Sequence, residues 1–280
     1  MKQFIGILAL VSLFLFSCER SEKEEFKKIA EGVSYKYLKF GDGDTVKTGD
    51  HIMLYITVLD EKNDTLHYVP RYPYFVEVGD KKIDSVWMRI GEGDSVHIRC
   101  DRKLLNQYLR LYNPLQSDEG VVEIRASLQE AMSAEEAKMR KAEELSKREL
   151  QEQLELKKYL EKYGRDFQEI NGIYRKILER TDGDSIKYGD QLRVAYTGKF
   201  MNGYVFDDTD SKGLTPTFRY GEDFQLLEGV QSGLKGMKEG ESVKIILPSR
   251  RAFGEKGSLA GIVPPYTSVI FEIKILKIEK

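Results

Sequence analysis

Residues 172–197 read GIYRKILERTDGDSIKYGDQLRVAYT, and they align without a gap with residues 32–57, GVSYKYLKFGDGDTVKTGDHIMLYIT. In both stretches a short apolar strand leads into a Gly-Asp turn, a lysine and a second Gly-Asp pair, and alternating apolar and polar residues follow. Glycine permits a positive φ in a turn, and aspartate hydrogen-bonds to the nearby backbone. Alternation with a period of two is typical of half-buried antiparallel strands. The sequence therefore predicts one β-rich unit that occurs twice.

Two later pairs of segments continue the same repeat. Residues 89–100, RIGEGDSVHIRC, match residues 236–247, GMKEGESVKIIL, and residues 121–128, VVEIRASL, match residues 270–277, IFEIKILK. The repeated unit is longer than the ~20–50 residues of a solenoid repeat, which indicates duplicated domains. A chain of 280 residues is long enough for two domains that each bury a core.

The composition excludes several classes of function. The formal net charge is −2, so the chain offers no strongly basic surface and we exclude nucleic acid as a partner. The three histidines, His51, His67 and His97, are scattered, and no Cys/His spacing is typical of a metal site. We therefore expect no metal and no cofactor.

The segment between the two copies has a different composition. Residues 133–163 contain no proline or glycine and are rich in Ala, Glu, Lys, Arg and Leu. Ser133 and Glu136 form a capping-box pattern and Gly164 is a stop signal, so we predict a long charged helix within a linker of residues 129–168. Two alternatives stay open for this helix: a solvated spacer, or a coiled-coil seam that joins a homodimer. The seam would follow Met139, Ala142, Leu145, Leu150, Leu154, Tyr159, Tyr163 and Phe167.

The N-terminus is typical of an exported protein. Lys2 is followed by an apolar run over residues 4–16, and LFSC, which ends at Cys18, comes directly before the polar stretch ERSEKEE. The run is shorter than the ~20 residues of a membrane span and has the layout of a secretory signal. Its end also resembles a bacterial lipobox, in which the cysteine is lipidated; a plain secretory signal is the alternative. We predict a lipoprotein signal peptide over residues 1–17, a lipid anchor on Cys18 and a polar tether over residues 18–27.

Five blocks of the second copy are absent from the first. They are VAYTG (194–198), YVFDDT (204–209), LLEGVQSGLKGMKEGE (226–241), RAFG (251–254) and GIVPP (261–265). In order and approximate spacing they resemble the FKBP-type peptidyl-prolyl isomerases across the whole domain of residues 169–280. The resemblance implies an α+β fold, with a twisted antiparallel sheet wrapped on a short helix. Through the repeat it implies the same fold for residues 28–128, and the long charged helix joins the two FKBP-like domains.

A prolyl isomerase needs neither a nucleophile nor a metal. It must lower an amide-rotation barrier of ~18–20 kcal/mol. The cis and trans isomers of an Xaa-Pro bond already have similar free energies. A dry apolar cavity that holds the proline ring and a twisted amide lowers that barrier by differential binding. The second copy supplies aromatic and aliphatic residues in such blocks, so its expected partners are proline-containing polypeptides.

By resemblance, five residues form the catalytic set. Tyr196 is a wall aromatic with a hydroxyl, Phe206 supplies a ring for the substrate proline, and Asp207 places a carboxylate near the twisting carbonyl. Phe253 covers the amide and Phe271 forms the back wall. The family often has Tyr as its cover residue, so this chain lacks a hydrogen bond that would contribute ~0.5–1.5 kcal/mol.

The resemblance also implies a substrate-binding set. Leu226 and Leu227 open the helix, and the Leu227 backbone N–H would hold a substrate carbonyl. Ile262 and Val263 would form an apolar flap. Val230 stands at the pocket floor, where the family commonly has Trp, and its smaller side chain implies a wider, shallower floor.

The first copy has the repeated pattern of strands and Gly-Asp turns but lacks the five blocks. Ile56 stands at the wall position, Val122 stands at the back-wall position, and neither a Phe-Asp block nor an Ile-x-Pro-Pro segment is present. We therefore predict a catalytically silent domain. Five aromatic residues of this domain either bind polypeptide or belong to its core: Tyr68, Tyr72, Tyr74, Phe75 and Trp87.

These features lead to one functional hypothesis and one alternative. The hypothesis is a lipid-anchored isomerase of the bacterial cell envelope, periplasmic or surface-exposed, that acts on Xaa-Pro bonds during the folding of exported polypeptides. The alternative is a non-catalytic chaperone or scaffold lipoprotein with a vestigial pocket, which the departures at Val230 and Phe253 keep open.

Overall fold

The structure of the protein, a computed structural model, describes residues 25–68, 72–109, 119–258 and 261–280. These residues form two antiparallel sheets of seven strands each, with a long helix between them in the chain. The architecture confirms the predicted α+β fold with two similar domains joined by a helix.

The described residues of the first domain form seven strands and two helices. They are β1 (Lys27–Ala30), β2 (Val33–Lys39), β3 (His51–Leu59), β4 (Thr65–Tyr68), β5 (Tyr74–Glu77), α1 (Asp84–Trp87), β6 (Ser95–Asp101), α2 (Arg102–Leu109) and β7 (Val121–Met132). The sheet order is β1-β2-β6-β7-β3-β4, and β5 also pairs with β3.

The second domain follows the linker helix α3 (Ala134–Tyr163) and has the same topology. Its elements are β8 (Gln168–Ile170), β9 (Ile173–Glu179), β10 (Gln191–Phe200), β11 (Val205–Asp208), β12 (Thr217–Arg219), α4 (Glu228–Leu234), β13 (Ser242–Leu247) and β14 (Val269–Glu279). The sheet order is β8-β9-β13-β14-β10-β11, with β12 paired to β10. Every strand therefore has a counterpart at the same place in the other sheet, and the repeat read from the sequence is a repeat of the fold.

The strand pairing corrects one alignment made from the sequence. Phe271 on β14 pairs with Ile245 on β13, and Ile124 on β7 pairs with Ile98 on β6. Ile98 and Ile245 are matched positions of the repeat, so the counterpart of Phe271 is Ile124 and not Val122. A shift of two residues keeps the same side chains on the same face of a strand, so apolar alternation alone could not detect it.

In the described residues, the segment between the two sheets runs from the end of β7 at Met132 to the start of β8 at Gln168. The predicted end of the first domain at residue 128 falls inside β7. This strand continues to Met132, which pairs with His51 of β3. The described strands of the second domain begin with β8 at Gln168, one residue before the predicted start.

Helix α3 begins at a capping box, as predicted. The Ser133 hydroxyl accepts a hydrogen bond from the Glu136 backbone N–H at 3.3 Å, and the Glu136 carboxylate accepts one from the Ser133 backbone N–H at 2.8 Å. Gly164 is the C-cap residue. Two of the helix's orphan N–H groups are therefore satisfied by side chains.

The alternative of a fully solvated spacer is wrong for the middle of this helix. Arg140 forms an ion pair with Glu130 of β7 at 2.9 Å, which ties the helix to the first domain. Arg148, eight residues further along, is only 6 % exposed and contacts the second domain. Met139 and Leu150 are exposed, so the homodimer seam stays a prediction that light scattering of the full chain tests.

Replacing Ser133 with alanine is expected to destabilise the chain by about 0.5–2 kcal/mol, the usual cost of losing an N-cap side chain. Urea unfolding followed by circular dichroism measures this change. Ser146→Ala, an exposed position on the same helix, is the matched control and should not destabilise, because alanine has the higher helix propensity. Equal stability of Ser133→Ala and the wild type would show that the capping box contributes nothing.

The predicted signal peptide, Cys18 and most of the tether lie outside the described residues. Within the described part of the chain, none of the helices has the length and apolar character that a membrane crossing requires. Cys100 lies buried in β6, and burial raises the pKa of its thiol to about 12.

Candidate active site

A cavity of about 200 Å³ lies in the second domain, between helix α4 and the inner face of the sheet. Eight of the predicted residues line it: Tyr196, Phe206, Asp207, Leu226, Leu227, Val230, Phe253 and Phe271. Six further lining residues were not predicted: Leu192, Val194, Phe218, Gln225, Leu234 and Ile273. The site is therefore mostly apolar, with one carboxylate and one phenol at its polar end.

The strands place these side chains by their period of two. Leu192, Val194 and Tyr196 alternate along β10 and therefore face the same side of the sheet. Phe271 and Ile273 do the same on the neighbouring strand β14. These unpredicted wall residues could have been found by continuing the alternation outward from Tyr196 and Phe271.

Helix α4 closes the other side of the cavity. It packs against β9 and β13 and buries Val230 and Leu234. Leu227 is its N-cap residue, and the Leu227 carbonyl accepts a hydrogen bond from the Gln231 backbone N–H at 2.9 Å. Leu226 and Leu227 therefore stand where the helix begins, as the sequence blocks imply, and the cavity wall passes from the loop to the helix through them.

The aromatic rings form a connected cluster at the back of the cavity. The Phe206 and Phe271 ring centroids are 5.9 Å apart with an interplanar angle of 88°, and those of Tyr196 and Phe271 are 6.0 Å apart at 66°. Phe200 supports Phe206 from behind at 4.9 Å. Edge-to-face contacts of this kind are favoured by the ring quadrupoles, so each ring fixes the orientation of the next.

Gly198 makes this cluster possible, and it was not singled out as a site residue from the sequence. A Cβ at this position would lie 2.8 Å from two Phe206 ring carbons and 3.1 Å from a Phe271 ring carbon. Such distances are shorter than carbon–carbon van der Waals contact. A glycine inside a strand is itself a signal of close approach by another group, so the block VAYTG contained the information.

The polar end of the cavity is a hydrogen-bonded chain. The Tyr196 hydroxyl donates to Asp207 Oδ2 at 2.8 Å, and Lys212 Nζ donates to Asp207 Oδ1. Burial, followed by the hydrogen bond to Asp207, raises the pKa of the Tyr196 phenol. Tyr196 therefore stays protonated at neutral pH, and its O–H is a hydrogen-bond donor to the Asp207 carboxylate.

The described residues contain no group of three or more His, Cys, Asp or Glu that could hold a metal ion. A family model described as FKBP-type peptidyl-prolyl cis-trans isomerase matches residues 183–276. The "Probable FKBP-type peptidyl-prolyl cis-trans isomerase" of Haemophilus influenzae is 31% identical over 168 residues, which cover 57% of this chain and 68% of that protein.

This chain belongs to the FKBP-type peptidyl-prolyl cis-trans isomerases. An "FK506-binding protein" of Neisseria meningitidis serogroup B is 32% identical over 109 residues, which cover 39% of this chain and 98% of that protein. The crystal structure of FkpA from Escherichia coli aligns with a TM-score of 0.47 at 24% identity, over 51% of this chain and 67% of that chain. The family match lies within the second domain, which is therefore the isomerase domain.

Two predicted residues of the isomerase domain, Ile262 and Val263, are not among the residues that line the cavity as described. Val263 is 2 % exposed and belongs to the domain core. It is held there by Ser258, whose backbone N–H donates to the Val263 carbonyl and whose hydroxyl accepts from the Val263 N–H, both at 2.8 Å. The flap they were expected to form over the cavity is thus pinned inward at Val263, and their role in binding substrate stays a prediction.

The described first-domain residues that match the walls of the cavity are buried. Trp87 ends α1 at the place where Leu234 ends α4, and Trp87 is 1 % exposed. It shares one buried cluster with Ile56 and Ile124, which stand where the isomerase domain has Tyr196 and Phe271. Trp87 is therefore a core residue, and it is buried together with the first-domain residues that match two walls of the cavity.

The segment after β6 in the first domain differs from the matching segment after β13 in the isomerase domain. The isomerase domain has two short 3-10 turns after β13, Ser249–Arg251 and Gly254–Lys256, and Phe253 lies between them. The first domain has α2 directly after β6, and the side chain of Leu105 on α2 is fully buried in the core. The first domain thus lacks a counterpart of the Phe253 cover in its described residues.

Proposed function

We propose that this isomerase acts on Xaa-Pro bonds of exported polypeptides in the bacterial cell envelope, where a lipid on Cys18 holds it to a membrane. Membership of the family indicates the reaction, peptidyl-prolyl isomerisation, and polypeptides as the class of substrate. The observation that carries the assignment of the reaction to one domain is the aromatic cavity built by Tyr196, Phe206 and Phe271.

The cavity suits a reaction that breaks amide conjugation. Rotation about an Xaa-Pro bond removes the overlap between nitrogen and carbonyl, and the twisted amide is stabilised by a dry site that fits it better than the planar form. The rings of Phe206 and Phe271 offer walls for the pyrrolidine, and Asp207 places a carboxylate beside them. No covalent intermediate is required. An Xaa-Pro bond isomerises in tens of seconds without a catalyst, and the cavity would accelerate this isomerisation.

We further propose that the first domain is catalytically silent, because Ile56 and Ile124 stand buried in place of Tyr196 and Phe271, and α2 stands in place of the cover loop. The formed cavity in the second domain argues against the alternative of a vestigial pocket. Val230 and Phe253 both line the cavity, and the Phe253 ring carries no hydroxyl. We expect both departures to lower affinity or rate and not to abolish turnover.

Replacing Asp207 with alanine is expected to lower kcat/KM about tenfold, because a hydrogen bond to a charged group contributes ~1.5–3 kcal/mol and each 1.4 kcal/mol is a factor of ten. A protease-coupled assay on a short Xaa-Pro peptide measures this. Asp210→Ala removes an exposed carboxylate from the turn directly after β11 and should leave kcat/KM unchanged. Wild-type activity in Asp207→Ala would remove this residue from the catalytic set.

Replacing Cys18 with serine is expected to release the full-length protein from the membrane. In a Triton X-114 partition of cells that express the chain, wild type should enter the detergent phase and Cys18→Ser the aqueous phase, because acyl chains contribute ~0.8 kcal/mol per buried CH₂. Labelling with a radioactive fatty acid should follow the same pattern. Partition of both forms into the aqueous phase would contradict the lipid anchor and leave a plain secretory signal.

A further inference from the structure

We propose that Arg148 and Glu152 of the linker helix are positioning residues of the isomerase site, although both lie outside the segment matched by the family model, residues 183–276. They hold the two loops that frame the cavity. This inference rests on the proposed assignment of the cavity as the isomerase site.

Glu152 binds two separate loops of the second domain with one carboxylate. Its Oε1 accepts a hydrogen bond from the Ser249 backbone N–H at 2.6 Å and a second from the Ser268 hydroxyl at 2.6 Å. Its Oε2 accepts from the Ser249 hydroxyl, also at 2.6 Å. Ser249 and Ser268 are both buried, so these are charge-assisted bonds in a site with little water.

Arg148, one helical turn earlier, binds the same second loop. Its Nε donates to the Pro265 carbonyl at 3.2 Å, and its guanidinium donates to the Thr267 hydroxyl at 2.8 Å. A buried guanidinium is costly unless its donors are bonded, so this side chain belongs to the packed interior of the interface.

The two loops carry the cover and the back wall of the cavity. Ser249 starts the 3-10 turn that leads to Phe253, and its carbonyl accepts from the Ala252 backbone N–H at 2.8 Å. Thr267 and Ser268 directly precede β14, and Phe271 lies three residues after Ser268. The loops are also tied together, because the Tyr266 backbone N–H donates to the Gly254 carbonyl at 3.0 Å.

The helix therefore fixes how far Phe253 stands from Phe271. Without the Glu152 carboxylate, the two buried serines lose a shared partner. The first loop then has no contact with the helix through Ser249, and the second loop keeps only its bonds to Arg148 and the link between Tyr266 and Gly254. A displacement of about 1 Å in a group that surrounds the reacting bond can cost on the order of 100-fold in rate. Phe253 and Phe271 touch substrate in the proposed function, and Arg148 and Glu152 act only through them.

The test uses the full chain and four variants. Glu152→Ala should lower kcat/KM about tenfold, in line with the cost of misplacing groups around the reacting bond. Glu152→Gln keeps an acceptor oxygen and a donor at the same length, and should restore kcat/KM to within about threefold of wild type, because neutral hydrogen bonds can still join both serines to the side chain. Ser268→Ala, which removes a single donor, should lie between them. Glu161→Ala, exposed on the same helix, is the matched control and should behave as wild type.

A second readout separates positioning from general loss of structure. Two-dimensional exchange NMR on a proline peptide gives kcat and the dissociation constant separately, and ¹H–¹³C spectra of the Phe253 and Phe271 rings report their surroundings. We expect shifted ring signals and a lower kcat in Glu152→Ala, with the circular dichroism spectrum preserved. Ser268→Ala serves as the gentler variant if Glu152→Ala does not fold.

The outcomes are distinct. Wild-type kcat and ring signals in Glu152→Ala and Ser268→Ala would overturn the positioning role while leaving the isomerase assignment intact. A wild-type chain without isomerase activity would instead overturn the proposed function. A Glu161→Ala variant as impaired as Glu152→Ala would also overturn the inference, because the effect would then belong to the helix in general.

Discussion

Replacing Gly198 with alanine is expected to lower kcat/KM for a proline peptide about 100-fold, the cost of displacing a catalytic group by roughly 1 Å. The added methyl would lie 2.8 Å from the Phe206 ring and 3.1 Å from the Phe271 ring, so at least one ring must move. Phe206 cannot simply retreat, because Phe200 stands behind it at 4.9 Å between ring centroids. A displaced ring changes the shape of the aromatic wall that lines the cavity.

Gly79→Ala is the matched control for this experiment. A Cβ on Gly79, in the first domain, would meet only the Asp84 carboxylate at 3.6 Å, an ordinary contact. It should leave both the fold and the protease-coupled rate unchanged. If Gly198→Ala isomerised the peptide as fast as Gly79→Ala, the packed aromatic wall would not be part of the active site.

The second large effect is a loss of first-domain stability in mild acid. His67 is 6 % exposed, and burial lowers its pKa from 6.5 to about 4. Between these two values the unfolded chain binds a proton that the folded domain does not. The free energy of unfolding therefore falls as pH drops below 6.5, by about 2 kcal/mol at pH 5. Protonation would also disturb the contact between His67 Nε2 and the Tyr74 hydroxyl.

His67→Gln removes this titrating group, and thermal unfolding from pH 7 to pH 5 should then show a shallower loss of stability than wild type. His97 adds to the acid sensitivity that remains, because burial lowers its pKa as well, against the opposing influence of Glu123. The second domain contains none of the three histidines, so its unfolding serves as the internal control. An unchanged pH dependence in His67→Gln would mean that His67 is protonated equally in the folded and unfolded chain.

The sequence predicts the frame of this protein well, for identifiable reasons. The repeat carries Gly-Asp turns and alternating strands, which are local signals, and the pairing of both sheets follows from them. The Ser133 capping box is likewise contained within one turn of helix. The blocks that line the cavity could be recognised because Tyr196, Phe206 and Phe271 stand in a characteristic order along the chain.

The sequence could not predict features that depend on distant parts of the chain. Arg148 and Glu152 look like ordinary members of a charged helix, and only the packing of α3 against Ser249 and Ser268 distinguishes them from exposed neighbours such as Glu161. The inward position of Val263 depends on its bonds to Ser258, which no period or propensity encodes.

Trp87 is the single tryptophan of the chain, and it lies at the centre of the first domain's core. Its emission spectrum therefore reports the melting of that domain alone, while the fluorescence of the isomerase domain comes from tyrosine and phenylalanine only. Comparing a tryptophan-detected denaturation curve with one detected by circular dichroism would show, without any labelling, whether the two halves unfold together or in sequence. Trp87 is thus also an intrinsic fluorescence probe of how strongly the unfolding of the two domains is coupled.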